Sequence, residues 1–260
     1  SYSTAYNTNM AVNETFIDSA TLRENVVSLA RNIGYVPRSV RAARAVVDID
    51  INDLPTTTET VSIQPGVIAN GSVSDVNYIF SIPEQITFPA SDGSAGASIE
   101  IYQGQYLENT YTVNDSLPNQ RYIIPNNGVD TSTLRVKVKN SASDNTVTEY
   151  KLVDSIVGVT SASNIYLIQE TTDEKYEVLF GDGVFGYTPI DGNIIILDYV
   201  VTNGALADGA SAFTAASTVG GYSNVTALAT ASASGGGFAE TVDSIKFNAP
   251  LKYASQGRAV

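Results

Sequence analysis

The chain has 260 residues, 14 basic against 27 acidic side chains and a net charge of −13, with no cysteine and no histidine. That length can bury a sizeable core and more than one domain, while the missing residue types exclude disulfides, an ordinary zinc site, a Ser–His pair and a cysteine nucleophile. The acidic balance argues against nucleic-acid binding, and no apolar run approaches the ~20 residues of a membrane-spanning helix.

In chain order, Ser1-Tyr2-Ser3-Thr4 has no initiator Met and no signal-like start, which reads as a cut into a longer polypeptide. The spacing of Leu22, Val26, Leu29, Ala30 and Ile33 predicts an amphipathic helix packed on a β core. Thr21 and Glu24 have the spacing of a capping box at its start, and Gly34 with Pro37 ends it. Ala45 to Ile51 alternates as a strand. From Val61 onward short strands are expected at Val76–Ser81, Ser98–Tyr106, Tyr111–Val113, Gln120–Ile124, Thr133–Val138 and Val147–Leu152, an antiparallel sandwich-like pattern. Tyr78, Tyr102, Tyr106, Tyr111, Tyr122 and Tyr150 stud this region, as cross-strand packing or, in the rival reading, as a carbohydrate-contact surface.

Asn164–Ile168 and Lys175–Phe180 form a hairpin that delivers Phe180-Gly181-Asp182-Gly183, a tight turn in which the glycines supply positive φ. After Gly186, Pro189 and Gly192 comes Ile194 to Val201, whose unbroken β-branched character suits a strand covered on both faces. Asn203 to Gly237, rich in Ala, Gly, Ser and Thr, reads as loops and edge strands. A last helix starts near Glu240 and Asp243, with Phe238, Val242 and Ile245 on one face, and halts at Pro250. The expected class is α+β and mainly β, with antiparallel modules flanked by N-terminal and C-terminal helices. The expected divisions are 1–60, 61–160 and 161–260.

The strand ending in Phe180 to Gly183, followed by Gly186, Pro189 and Ile194 to Tyr199, resembles the signature of the baseplate J-like family of contractile injection machines. Asn13-Glu14, Ala20 and the run Leu29 to Ser39 with Ala42 to Ala45 are similar to T-even-type baseplate wedge proteins. So are Asn248-Ala249-Pro250 and Gln256 to Val260. The middle β region carries no such match. The resemblance implies a structural virion protein of a myovirus tail baseplate, assembled in the host cytoplasm. It further implies contacts with a second copy of itself and with other wedge subunits, and a part in the rearrangement that triggers sheath contraction. The alternative from another class is a virion receptor- or carbohydrate-binding β module.

No catalytic residue, cofactor, metal or small-molecule substrate is assigned. Asp182 with Asp191 supplies too few oxygens for calcium, and Glu174 with Glu177 is the kind of carboxylate pair any acidic chain offers. Arg31, Arg38, Arg41 and Arg44 precede a stretch from Ala45 to Gln120 without a basic residue, so they are the candidate interface.

Overall fold

In a computed structural model, the described residues are 12–154 and 158–256. The resemblance residues 257–260 and the opening Ser1 to Thr4 lie outside them. The first helix, α1 (Arg23–Asn32), precedes β1 (Arg44–Ile51), β2 (Thr60–Ile63), β3 (Gly66–Val73), β4 (Val76–Ile82), β5 (Ile86–Pro89) and β6 (Ala95–Gln103). Next come β7 (Gln105–Thr112), β8 (Tyr122–Ile123), β9 (Val129–Lys139), β10 (Val147–Leu152), β11 (Ile165–Glu170), β12 (Tyr176–Phe180) and β13 (Ile194–Val201). The described chain ends with β14 (Ser211–Ala215), β15 (Val225–Ala229) and α2 (Val242–Gln256).

The strands make two main sheets with separate cores, the second inserted in the chain between β6 and β14 of the first. The first runs β14-β3-β4-β6-β1-β15, and its end strands β14 and β15 lie side by side. Its core gathers Val47, Ile49, Ile51, Ile68, Phe80, Ile82 and Ile101, with the β2–β5 ribbon adding Val61, Ile63 and Phe88. The Ala/Gly-rich segment after Asn203 supplies Ala207, Ala210, Phe213, Val219 and Ala227 to this same core, more burial than its composition suggested. The second sheet runs β7-β13-β9-β10-β11-β12-β8, antiparallel except for the parallel β10–β11 pair. Its ends are joined by the Tyr111 hydroxyl, which donates to the Ile123 carbonyl, and by the edge-to-face Tyr111–Tyr122 pair. At its centre β13 is buried along six successive residues on both faces, as its β-branched run implied.

The expected strand Ser98–Tyr106 is in fact two. The chain breaks at Gly104 (φ +134°), where a Cβ would lie 2.2 Å from the Val201 carbonyl oxygen, and passes from the first sheet to the second. It returns at Thr202 and Asn203, whose side-chain hydroxyl and backbone N–H both donate to Gln103 Oε1. Everything from β7 to β13 is therefore an insertion in the first sheet, and residue 160 falls inside it, between β10 and β11. The strands β2, β3 and β5 had not been expected.

The helices form a third, smaller layer. Val26, Val27 and Ala30 of α1 meet Ile245 and Ala249 of α2, with Leu29, Ile33 and Val242 at the margin. The helix thus packs on its C-terminal counterpart instead of the β core, and Leu22 stays 47% exposed. Val26→Ala should destabilise by about 2 kcal/mol in urea denaturation, whereas Leu22→Ala should change little. The capping box is absent. Glu14 caps the helix start instead, its Oε1 accepting the Thr21 N–H at 2.8 Å and the Thr21 hydroxyl at 2.6 Å. These bonds hold the Glu14 carboxyl down to about 2. Gly34 (φ +75°) ends α1 as expected. Pro250 does not halt α2, which runs on through it to Gln256 along an exposed side.

Candidate functional site

Segment 35–44 threads between the helix pair and both sheets, and Tyr35, Arg38, Ser39, Ala42 and Arg44 of the run that carried the wedge-like resemblance are engaged there. The Tyr35 hydroxyl donates to both oxygens of Glu240 at 2.9 Å, and the Arg38 N–H donates to its Oε2 at 3.0 Å. Ser244 and Asn248 of α2 donate to the same carboxylate. Burial pushes the Glu240 carboxyl up, but these donors outweigh it and hold it below the ordinary glutamate range. Ser39 accepts the Thr131 N–H at 3.0 Å, and the Ala42 N–H donates to buried Asp130 at 2.8 Å, tying the segment to β9. Arg41 and Arg44 pair through their backbones with Gly237 and Ser234.

A second clamp joins α1 to the inserted sheet. Arg23 donates from Nε and Nη2 to the two oxygens of Glu170, at 2.9 and 3.0 Å, and from Nη1 to the Glu240 carbonyl. The Glu170 side chain is 1% exposed, and burial pushes its carboxyl up, Arg23 pulling it back only in part. Sequence reasoning passed over Arg23 because it sits off the apolar stripe.

The four arginines expected at an interface divide. Arg31, Arg38 and Arg41 are exposed, although Arg31 also donates to the Glu170 carbonyl at 3.1 Å. Arg44 is half-buried, 4.0 Å from Glu100 and over the Tyr102 ring. The tyrosines read as packing or as a carbohydrate surface mostly serve packing. Tyr150 is buried against Phe180, and the Tyr106 hydroxyl donates to buried Asp198 at 2.7 Å.

The Phe180 turn is a rigid knot. Asp182 Oδ1 accepts the Val184 and Phe185 N–H groups at 2.9 and 2.8 Å, and the Gly183 N–H reaches the Gly186 carbonyl. Gly183 and Gly186 have φ near +85° and +88°, as the turn requires. Gly181 does not. It is glycine because a Cβ there would lie 2.3 Å from the Gly186 carbonyl carbon. Pro189 is buried behind the turn and Phe180 packs edge-to-face on Tyr122 and Tyr150. The Phe185 and Val184 N–H bonds hold the Asp182 carboxyl below the ordinary aspartate range. Folding therefore depresses this pKa, and the turn's contribution is complete above the ordinary aspartate value and lost as pH falls through the depressed one. The melting temperature should drop less steeply in Asp182→Ala than in wild type between about pH 5 and about pH 2, and millimolar calcium should move neither.

The carboxylates weighed and set aside as pairs are each engaged elsewhere. Asp191 accepts the Asp115 N–H, Glu177 is held by Arg121 at 2.7 Å, and Glu174 stands 3.7 Å from Arg23. Among the described residues no cluster of three or more acidic side chains is set to hold a metal.

The sequence is similar to a known class of protein, the bacteriophage baseplate wedge proteins. Residues 98–202 match the model of the third domain of the bacteriophage baseplate wedge protein gp6, a span that takes in most of β6 and the whole inserted sheet. The chain as a whole is similar to the baseplate wedge protein gp6 of Enterobacteria phage T4, at 27% identity over 293 aligned residues. That alignment takes in 98% of this chain and 42% of the relative, so the chain spans less than half of that protein's length. Both findings are similarities to T4-type baseplate wedge proteins. Neither match is to the baseplate J-like family, and that resemblance rests on the turn motif.

Proposed function

We propose that this chain is the part of a contractile-tail baseplate wedge subunit that stiffens the ring around the tail hub, in a virion assembled in the host. The observation that carries the reading is the extent of the similarity to the phage T4 wedge protein, which runs through the helix layer and both sheets and not through one module alone. The junction supports a mechanical role. Buried charges at Glu170, Asp130 and Glu240 lock three bodies together, so a push on one is transmitted to the others as a rigid movement. In this reading the subunit meets a second copy and other wedge proteins, and helps carry the rearrangement that starts contraction.

Arg31, Arg38 and Arg41 are its proposed steering surface, facing acidic partners. Reversing Arg38 and Arg41 to Glu should slow association with a second copy or a wedge partner, with the melting temperature little changed, because exposed charges chiefly steer encounter. Association of wild type should weaken as salt shortens the screening length below ~8 Å. Sedimentation velocity at low and high salt on both proteins tests this. Association that ignores both salt and the reversal would remove the arginines from the interface.

A further inference from the structure

The connection from β12 to β13 exposes apolar side chains that no internal contact requires. Val184 is 65% exposed, Phe185 47%, Tyr187 39% and Ile190 57%, all within seven residues. The neighbouring loop 113–121, tied to this one by the Asp115 N–H on Asp191 and the Gly192 N–H on the Val113 carbonyl, adds Leu117 at 53%. Together they sit at the end of the inserted sheet opposite to its crossing points with the first sheet, Gly104 and Thr202. A grouped apolar surface of this kind marks a contact site more often than scattered single residues do.

The backbone beneath these side chains is fixed before any partner arrives. Asp182 fastens the N–H groups of Val184 and Phe185, while those of Gly186 and Tyr187 donate to Thr160 and Ser163 at 3.0 and 2.8 Å. Gly181 and Gly186 approach too closely to admit a side chain. A preformed anchor loses little entropy on docking. Asp115, Asp182 and Asp191 stand exposed around it, while Arg121, the basic residue of these two loops, is held by Glu177 at 2.7 Å.

We propose that this tip is a plug, with Phe185 and Val184 at its centre, that seats in an apolar pocket rimmed by Lys or Arg on a different protein. The acidic rim selects against acidic surfaces, including anionic lipid. The inference rests on the baseplate reading for the place where the partner is met, and on the loop alone for the chemistry of the contact.

The test is a photocrosslinking phenylalanine analogue placed at Phe185 in the full-length subunit, with the same analogue at Val76 on the first sheet as reference, in particles assembled in the host. Recovery of the subunit in purified particles tests the baseplate reading, and the adduct tests the plug. The expected result is an adduct at Phe185 with one other protein whose crosslinked peptide carries Lys or Arg, and a lower yield when particles assemble at raised salt. Val184→Asp with Phe185→Asp should reduce incorporation by about tenfold, as for a central aromatic anchor, with the melting temperature unchanged because the turn uses only the backbone of both residues. Particles that contain the subunit but give no Phe185 adduct, an adduct to a second copy or to lipid, or normal incorporation of the double variant would overturn the proposal.

Discussion

Gly181→Ala should destabilise the protein by about 3 kcal/mol or more, the largest effect expected of any single methyl added to the turn. The new Cβ would stand 2.3 Å from the Gly186 carbonyl carbon and 2.4 Å from the Gly186 and Phe185 carbonyl oxygens. Those are backbone atoms of a loop whose Gly186 N–H is fixed to Thr160, so the strain has no flexible side chain into which to relax. Gly183→Ala is the control. It meets only the Thr188 hydroxyl, at 3.6 Å, and its cost comes from a φ of +85°, about 1 kcal/mol. Urea denaturation of the two variants separates crowding from backbone conformation, and equal losses would mean that the turn is held less tightly than its geometry indicates.

Arg23→Met should cost about 3–5 kcal/mol, because it leaves the Glu170 carboxylate buried without its partner. The variant also has a signature in pH. Glu170 is pushed above the ordinary glutamate range by burial even with Arg23 present, so above that range the folded chain binds more protons than the unfolded one. Stability from this group therefore falls as pH rises from the unfolded value through the folded one. Without Arg23 the folded value climbs further, and the loss at neutral pH should be partly recovered on acidification toward about pH 5. Replacing Arg23 and Glu170 together by Met and Gln should restore much of the stability, which a simple loss of packing at Arg23 would not allow.

Much of the fold was legible where one local signal dominates. Six successive residues within Ile194 to Val201 are buried on both faces because the run is apolar but for Asp198, which Lys137 and the Tyr106 hydroxyl meet, and Gly34 ends α1 because it alone takes φ +75° cheaply there. What stayed hidden is set by distant partners. Glu14 displaces Glu24 from the cap, and α2 takes the face of α1 that was expected on a sheet. The insertion of the second sheet between β6 and β14 is invisible in strand patterns, since only Gly104 and the Gln103–Thr202 contact mark the crossing. Pro250 reads as a stop on local grounds, yet on the exposed side of α2 its ring and missing N–H are tolerated. The four arginines were read as one surface from their spacing, whereas the fold turns Arg44 inward to Glu100 and Tyr102 and leaves the other three outside.

Electron microscopy of intact particles shows most directly whether this chain forms part of the baseplate ring, because two β bodies with separate cores and a helix pair make a shape that can be fitted into density without reference to sequence. The expected result is that shape repeated in the ring around the tail tube, with the Phe185 tip buried against a neighbouring protein. Finding it instead at the end of a tail fibre with the tip free, or finding no such density in particles that contain the protein, would contradict the account.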